Sequence, residues 1–264
     1  MSFRFCSLSS GSSGNCQYIE TNKMKVLVDA GLSGKKTQEL LMSIDVDPSE
    51  IDCILVTHEH GDHVKGAGIL SRRFDIPIYA NKKTWNSMED GLGKLKNHNI
   101  KVFDTDCDFE LGDLGILPFK VSHDSAEAVG YSFYNKNKKI SVLTDTGCID
   151  EQIKHNIKNS NLLMIESNHD INMLKMGSYP WFLKQRVSGD FGHLSNDDAG
   201  NLIAEVISGQ NEHILLGHLS GENNFPELAH QTVANILNEN GIDIFKDVSL
   251  DLTFKEKATK VYKI

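Results

Sequence analysis

Short apolar runs alternate with amphipathic stretches along the whole chain. Residues 3–8 read as a strand, and the Ser/Gly-rich stretch 9–15 as a turn. Residues 17–20 and 25–29 form a hairpin pattern around Thr21-Asn22-Lys23. Leu40, Leu41 and Ile44 fall on one side of a helix over 35–44. The run 51–57 is apolar and compact, as expected of a buried strand; a helix over 62–74 and a strand over 76–79 follow. Further on, 129–134 and 140–143 flank Asn135-Lys136-Asn137-Lys138-Lys139, a hairpin signal. Residues 162–165 and 214–216 read as buried strands, and 196–207 and 225–238 as helices, with Ser195 placed to cap the first and Pro226 at the start of the second. Strands in both halves with helices between them predict an α/β protein, two sheets covered by helices in one domain over 1–264.

Composition narrows the field. With 264 residues and a formal net charge of -9, the chain has no broad basic coat for nucleic acid, although a local basic groove is compatible with that total. Five cysteines, an odd number without a Cys-x-x-Cys pair, suit a reduced, cytoplasmic protein better than a disulfide framework. Residues 1–8 do not read as a signal peptide, and no stretch approaches the roughly 18 apolar residues of a membrane span.

The chemistry concentrates after the run 51–57. His58, His60, Asp62 and His63 lie within six residues, and imidazole with carboxylate suits zinc, manganese or iron. Two residues apart in an extended chain, His58 and His60 point the same way; Gly61 permits a turn that aims Asp62 and His63 at a neighbouring position. Two adjacent metals fit this spacing better than one closed structural site, which would favour cysteine. A surface histidine cluster is the plainer alternative. Three further candidates stand just past apolar runs: His123, Asp145 and His218. Each alone is an ordinary turn residue; together with the first cluster they complete a ligand set.

His-x-His-x-Asp-His followed by a strand-end His, an Asp and a His resembles the metallo-β-lactamase superfamily, and Val28-Asp29-Ala30-Gly31 adds to the likeness. The resemblance implies an αββα sandwich with two divalent ions at one edge: His58, His60 and His123 on one, Asp62, His63 and His218 on the other, Asp145 bridging, and Asp62 orienting the attacking water. Within the superfamily the chain looks most like the YycJ/WalJ group. The matching stretches are Ser7-Leu8-Ser9-Ser10-Gly11-Ser12-Ser13-Gly14-Asn15-Cys16, Glu166-Ser167-Asn168-His169-Asp170, Tyr179-Pro180-Trp181 and Gly192-His193-Leu194-Ser195-Asn196. That group implies a 5′-to-3′ exonuclease on DNA, with mismatch-repair proteins as partners. The metal site alone equally admits a hydrolase of thioesters, lactones or cyclic phosphodiesters, and a binding protein on an inherited fold is a third reading.

A departing alkoxide needs a proton. His193 is the first candidate to supply it, Glu166 and His169 the next; the alternatives are a residue that merely starts a helix for His193, and support of a metal-bound histidine for the other two. Ser12 and Ser13 sit in a loop that either offers N–H groups to a phosphate or simply turns the chain. Lys175, Lys184 and Arg186 interleave with Tyr179, Trp181 and Phe182 in a stretch free of acidic residues, suited to a nucleic-acid strand or to an ordinary packed loop.

Overall fold

The computed structural model describes residues 3–264. The first part of the chain supplies strands β1 (Arg4–Ser9), β2 (Cys16–Glu20), β3 (Lys25–Val28), β4 (Cys53–Leu55), β5 (Ile78–Asn81) and β6 (Ile100–Phe103). Helices α1 (Gly34–Met42), α2 (Gly61–Val64), α3 (Ala67–Phe74) and α4 (Lys82–Leu92) lie between them. The rest supplies β7 (Phe109–Leu111), β8 (Leu114–Lys120), β9 (Val129–Asn135), β10 (Lys138–Leu143), β11 (Leu162–Glu166), β12 (Glu212–Gly217), β13 (Val248–Leu252) and β14 (Tyr262–Lys263). Its helices are α5 (Glu151–Ile157), α6 (Ile171–Met176), α7 (Trp181–Val187), α8 (Asn196–Val206) and α9 (Pro226–Glu239). Among the described residues the strands form two seven-stranded mixed sheets, ordered β14-β1-β2-β3-β4-β5-β6 and β13-β12-β11-β10-β9-β8-β7.

Side-chain alternation explains the layering. On β4, Cys53 and Leu55 face the other sheet, while Ile54 faces the helices of its own side. On β11, Leu162 and Met164 point inward and Leu163 and Ile165 outward. Strands covered on both faces must be apolar at successive positions, which is why these runs read as continuous rather than alternating. Three cores result. One lies between the sheets, a second under α1, α3 and α4, a third under α5, α8 and α9. This is the αββα arrangement expected from the resemblance.

Three differences from the sequence reading stand out. The helix expected over 62–74 is two helices, broken at Lys65 and Gly66. There the Gly66 N–H donates to the Ala30 carbonyl at 2.7 Å, and a side chain at 66 would meet the Leu32 carbonyl at 2.3 Å. Tight packing of residues 30–32 therefore wins over helix continuity. The expected turn over 9–15 starts later, because β1 runs through Ser9. The 135–139 hairpin is tighter than its pattern suggested: β9 ends at Asn135 and β10 begins at Lys138, leaving a two-residue turn. No helix of the described residues is long and apolar enough to cross a membrane. All five cysteines are free.

Candidate metal centre

Parallel strands end on one edge, and that edge carries the polar cluster. β3 leads into Asp29, β4 into Thr57 and His58, β10 into Asp145, β11 ends at Glu166, and β12 leads into His218. β8, parallel to β10 through their shared neighbour β9, leads into His123. Crevices outside the carboxyl ends of parallel strands are where α/β sheets hold ligands. Asp29, Asp145 and His218 all take left-handed backbone angles (φ 63°, 56° and 52°) just past their strands. Such a conformation is unfavourable for a histidine and persists only where surrounding contacts enforce it. At His218 the N–H donates to Ser10 Oγ at 2.8 Å.

His58, His63 and His123 are each held by a contact on Nδ1. His63 Nδ1 lies 2.7 Å from Asp29 Oδ2, and Asp29 also accepts from the Thr57 N–H and hydroxyl at 2.8 and 2.9 Å. His58 Nδ1 lies 3.0 Å from Thr57 Oγ1, and His123 Nδ1 faces the Gly192 carbonyl at 3.3 Å. The remaining nitrogens turn inward. His58 Nε2 is 3.1 Å from His60 Nδ1, although two neutral rings can share only one proton there. His63 Nε2 lies 3.2 Å from Asp145 Oδ2, and Asp145 Oδ1 lies 3.0 Å from His218 Nδ1. Asp62 Oδ2 is 3.6 Å from His63 Nε2 and 4.0 Å from His218 Nε2. That His218 nitrogen is buried without a hydrogen-bond partner. Ligand-type atoms group as His58, His60 and His123, as His58, His63 and Asp145, and as Asp145, Glu166, His193 and His218. Imidazole nitrogens fixed from behind, a buried orphan and a shared carboxylate are the donor chemistry of divalent-metal binding.

Electrostatics follow from burial and crowding. Burial lowers His58, and the neighbouring His63 lowers it further, well below the usual imidazole range. Burial raises Asp145, but His218 and His63 more than reverse it and hold the carboxyl well below its usual range. Burial also raises Glu166, and the His193 charge and hydrogen bonds bring it down to about 2. Glu166 accepts from the Thr146 and Leu194 N–H groups at 2.8 and 3.1 Å and faces His193 Nδ1 at 3.1 Å and His218 Nδ1 at 3.3 Å. Of the two roles considered for Glu166, supporting neighbouring histidines is the one these contacts favour. Burial lowers His193, and Glu166 and Asp145 raise it above its usual value.

The surrounding loops divide in role. The N–H groups of Ser10, Gly11 and Gly14 are taken by Phe254, Asn15 and Gly11 oxygens, so these three are not available to a phosphate. Ser12 and Ser13 are exposed at the tip of that loop and line a groove of about 530 Å³ with Asp62. On the opposite side His169, His193, Lys175, Trp181 and Lys184 line a pocket of about 370 Å³. Arg186 does not line it: its Nε pairs with Asp124 Oδ2 at 2.5 Å, next to His123. Tyr179 is also outside its wall. Two residues given no role by sequence reasoning sit behind the cluster: Asp29, and Asn15, whose Nδ2 is 3.0 Å from His63 Nε2 and 3.4 Å from Asp62 Oδ2. A position directly after an apolar run was the available signal for Asp29, as it was for Asp145. Gly31 is fixed by the same packing, because a side chain there would stand 1.6 Å from the Asp62 carbonyl oxygen.

Two stacked mixed sheets with helices outside and a His/Asp cluster at their common edge define a metallo-hydrolase type of sandwich. The chain belongs to the β-lactamase superfamily: the family model described as "Beta-lactamase superfamily domain" matches residues 24–219. It is 43% identical over 261 residues to exodeoxyribonuclease YycJ of Bacillus anthracis, covering 99% of each chain. It is 42% identical over 264 residues to exodeoxyribonuclease WalJ of Streptococcus pneumoniae (strain D39), covering 99% of this chain and 98% of that one. The metallo-β-lactamase fold protein YhfI from Bacillus subtilis superposes with a TM-score of 0.74 over 100% of both chains at 16% identity, a likeness of fold alone.

Proposed function

We propose that the chain is a metal-dependent phosphodiesterase acting on DNA as an exonuclease, with residues 1–264 working as one unit. The carrying observation is Asp145, whose two oxygens reach His63 on one side and His218 on the other, where a carboxylate can serve two ions. Whole-chain identity above 40% with two exodeoxyribonucleases supports the substrate class. We assign His58, His60 and His123 to one ion, Asp62, His63 and His218 to the second, and Asp145 to both. Zinc or manganese suits the donors, and iron is compatible. Bound there, such ions supply Lewis acidity and a water of lowered pKa.

The protein's own groups do the rest. Asp62, with its side chain 26% exposed, reaches both the ligand cluster and the open groove, so it can orient the attacking water. His193 leans its Nδ1 on Glu166 and keeps the other nitrogen for the leaving oxygen, to which it delivers a proton. The 5′-to-3′ direction, mismatch-repair partners and a cytoplasmic setting rest on the family resemblance and on cysteine usage. End-labelled duplex and single-stranded DNA incubated with Mn²⁺- or Zn²⁺-loaded protein should shorten from one end. Asp62→Ala should slow shortening by ~10²-fold or more. Absence of shortening from either end with either ion defeats the reading.

A further inference from the structure

The pocket under α6 and α7 has features that metal binding does not use. Trp181, at the first position of α7, is 72% exposed, an unusual setting for so large an apolar ring. Opposite it, Leu174 is buried and Ile171 adds apolar wall. His169 is only 3% exposed, yet its Nδ1 has no hydrogen-bond partner. Lys184 Nζ donates to the Lys175 carbonyl at 2.7 Å, tying α7 to α6, and neither lysine makes an ion pair among the described residues. The acid on the wall, Asp198, is committed to the Ser195 hydroxyl at 2.6 Å. His193 stands at the inner end, 3.4 Å from Asp145. A volume of about 370 Å³ falls at the small end of the ~300–1,000 Å³ range of small-ligand sites.

We infer that this pocket is a subsite for a single nucleotide unit of the strand, its base laid on the Trp181 indole and its outer phosphate met by Lys175 and Lys184. The assignment rests on the nuclease reading above and adds the place where one terminal unit is held. An exposed indole accepts any base, because every base has a π-face. Two unpaired ammonium groups at the rim suit a phosphate rather than an acyl chain.

The test uses the two tryptophans, of which Trp85 is buried (4% exposed) and Trp181 is open. Metal-loaded protein is titrated with dAMP and dTMP while indole fluorescence is followed. Saturable quenching is expected with both, and Trp181→Phe should abolish it. Lys175→Ala should weaken dAMP binding while leaving the nucleoside deoxyadenosine unaffected. With a short oligonucleotide, Trp181→Ala should raise KM about ten-fold, the scale of one lost base stack. Phe182→Ala, at an equally exposed neighbour outside the pocket, should leave KM unchanged. No quenching at millimolar nucleotide, or equal KM changes in the Trp181 and Phe182 variants, overturns the subsite. Oligonucleotide hydrolysis by the parent protein then still stands, whereas its absence in the parent is the separate failure of the nuclease reading.

Discussion

Asp29 reaches no substrate and is assigned to no ion, yet its two oxygens take the Thr57 N–H, the Thr57 hydroxyl and the His63 ring. Losing that charge should let the His63 ring and tautomer drift. Asp29→Asn should therefore weaken metal binding by ~10–100-fold in a competitive chelator titration, with the fold kept by far-ultraviolet circular dichroism. An unchanged metal affinity would remove Asp29 from the site. His193 is tested differently, because a good leaving group needs no proton. His193→Ala should slow DNA hydrolysis by ~10²–10⁴-fold. On bis(4-nitrophenyl) phosphate, whose leaving group departs as a stable anion, it should cost much less. Equal losses on both substrates would mean that His193 positions the ligands and does not act as the acid. Both residues were visible in the sequence as letters. Only the fold tells that Asp29 touches His63 across 34 positions, because that contact depends on β3 and β4 being neighbours in parallel register.

At the scale of elements, the segment that delivers His193 is held by close backbone packing. Gly147 N–H donates to the Ser122 carbonyl at 2.9 Å, Asp124 N–H to the Phe191 carbonyl at 3.1 Å, and a side chain at 147 would stand 2.3 Å from the Gly189 oxygen and 2.4 Å from the Gly192 nitrogen. Gly147→Ala must push residues 189–192 outward and carry His193 with them. We expect about 1–3 kcal/mol of destabilisation in urea unfolding, as for an overpacked site, together with a fall in kcat. Wild-type kcat in that variant would show the loop to be looser than its contacts indicate. The elements legible beforehand were those with one dominant signal. β11 and β12 announced themselves as unbroken apolar runs, and α8 by Ser195, which forms a capping box with Asp198. α6 and α7 were not legible as helices. They are six and seven residues long and bury only Leu174 between them, so no apolar period could form. α4 was missed as well, its interior carrying Gly91 and its polar face outnumbering the buried Trp85, Met88 and Leu92. The His/Asp cluster of residues 58–63 was legible because its spacing is local, whereas the pocket under α6 and α7 is built from contacts that no periodicity encodes.

For the whole molecule, charge sets the terms of binding. A chain of net charge -9 repels a polyanion at long range, so any attraction must come from a few local cations and from the bound ions. Arg186 is already neutralised by Asp124, which leaves Lys175 and Lys184 as the free cations beside His193. Each phosphate contact to a single strand contributes ~0.7 to the slope of log affinity against log salt. Because both lysines meet the same phosphate, removing them together, Lys175→Ala with Lys184→Ala, should flatten that slope by about 0.7. The measurement is fluorescence anisotropy of a labelled, hydrolysis-resistant single-stranded oligonucleotide bound to the metal-loaded parent and double-lysine proteins over a range of salt concentrations. Lys246→Ala, on the α9–β13 connection far along the chain and paired with Asp243, should leave the slope alone. A double-lysine variant with the parent slope would put the strand on another surface, and the groove beside Ser12, Ser13 and Asp62 would be the next place to look. A flattening well beyond about 0.7 would mean that the lysines also hold α6 and α7 in place for other contacts, as the bond from Lys184 to the Lys175 carbonyl allows.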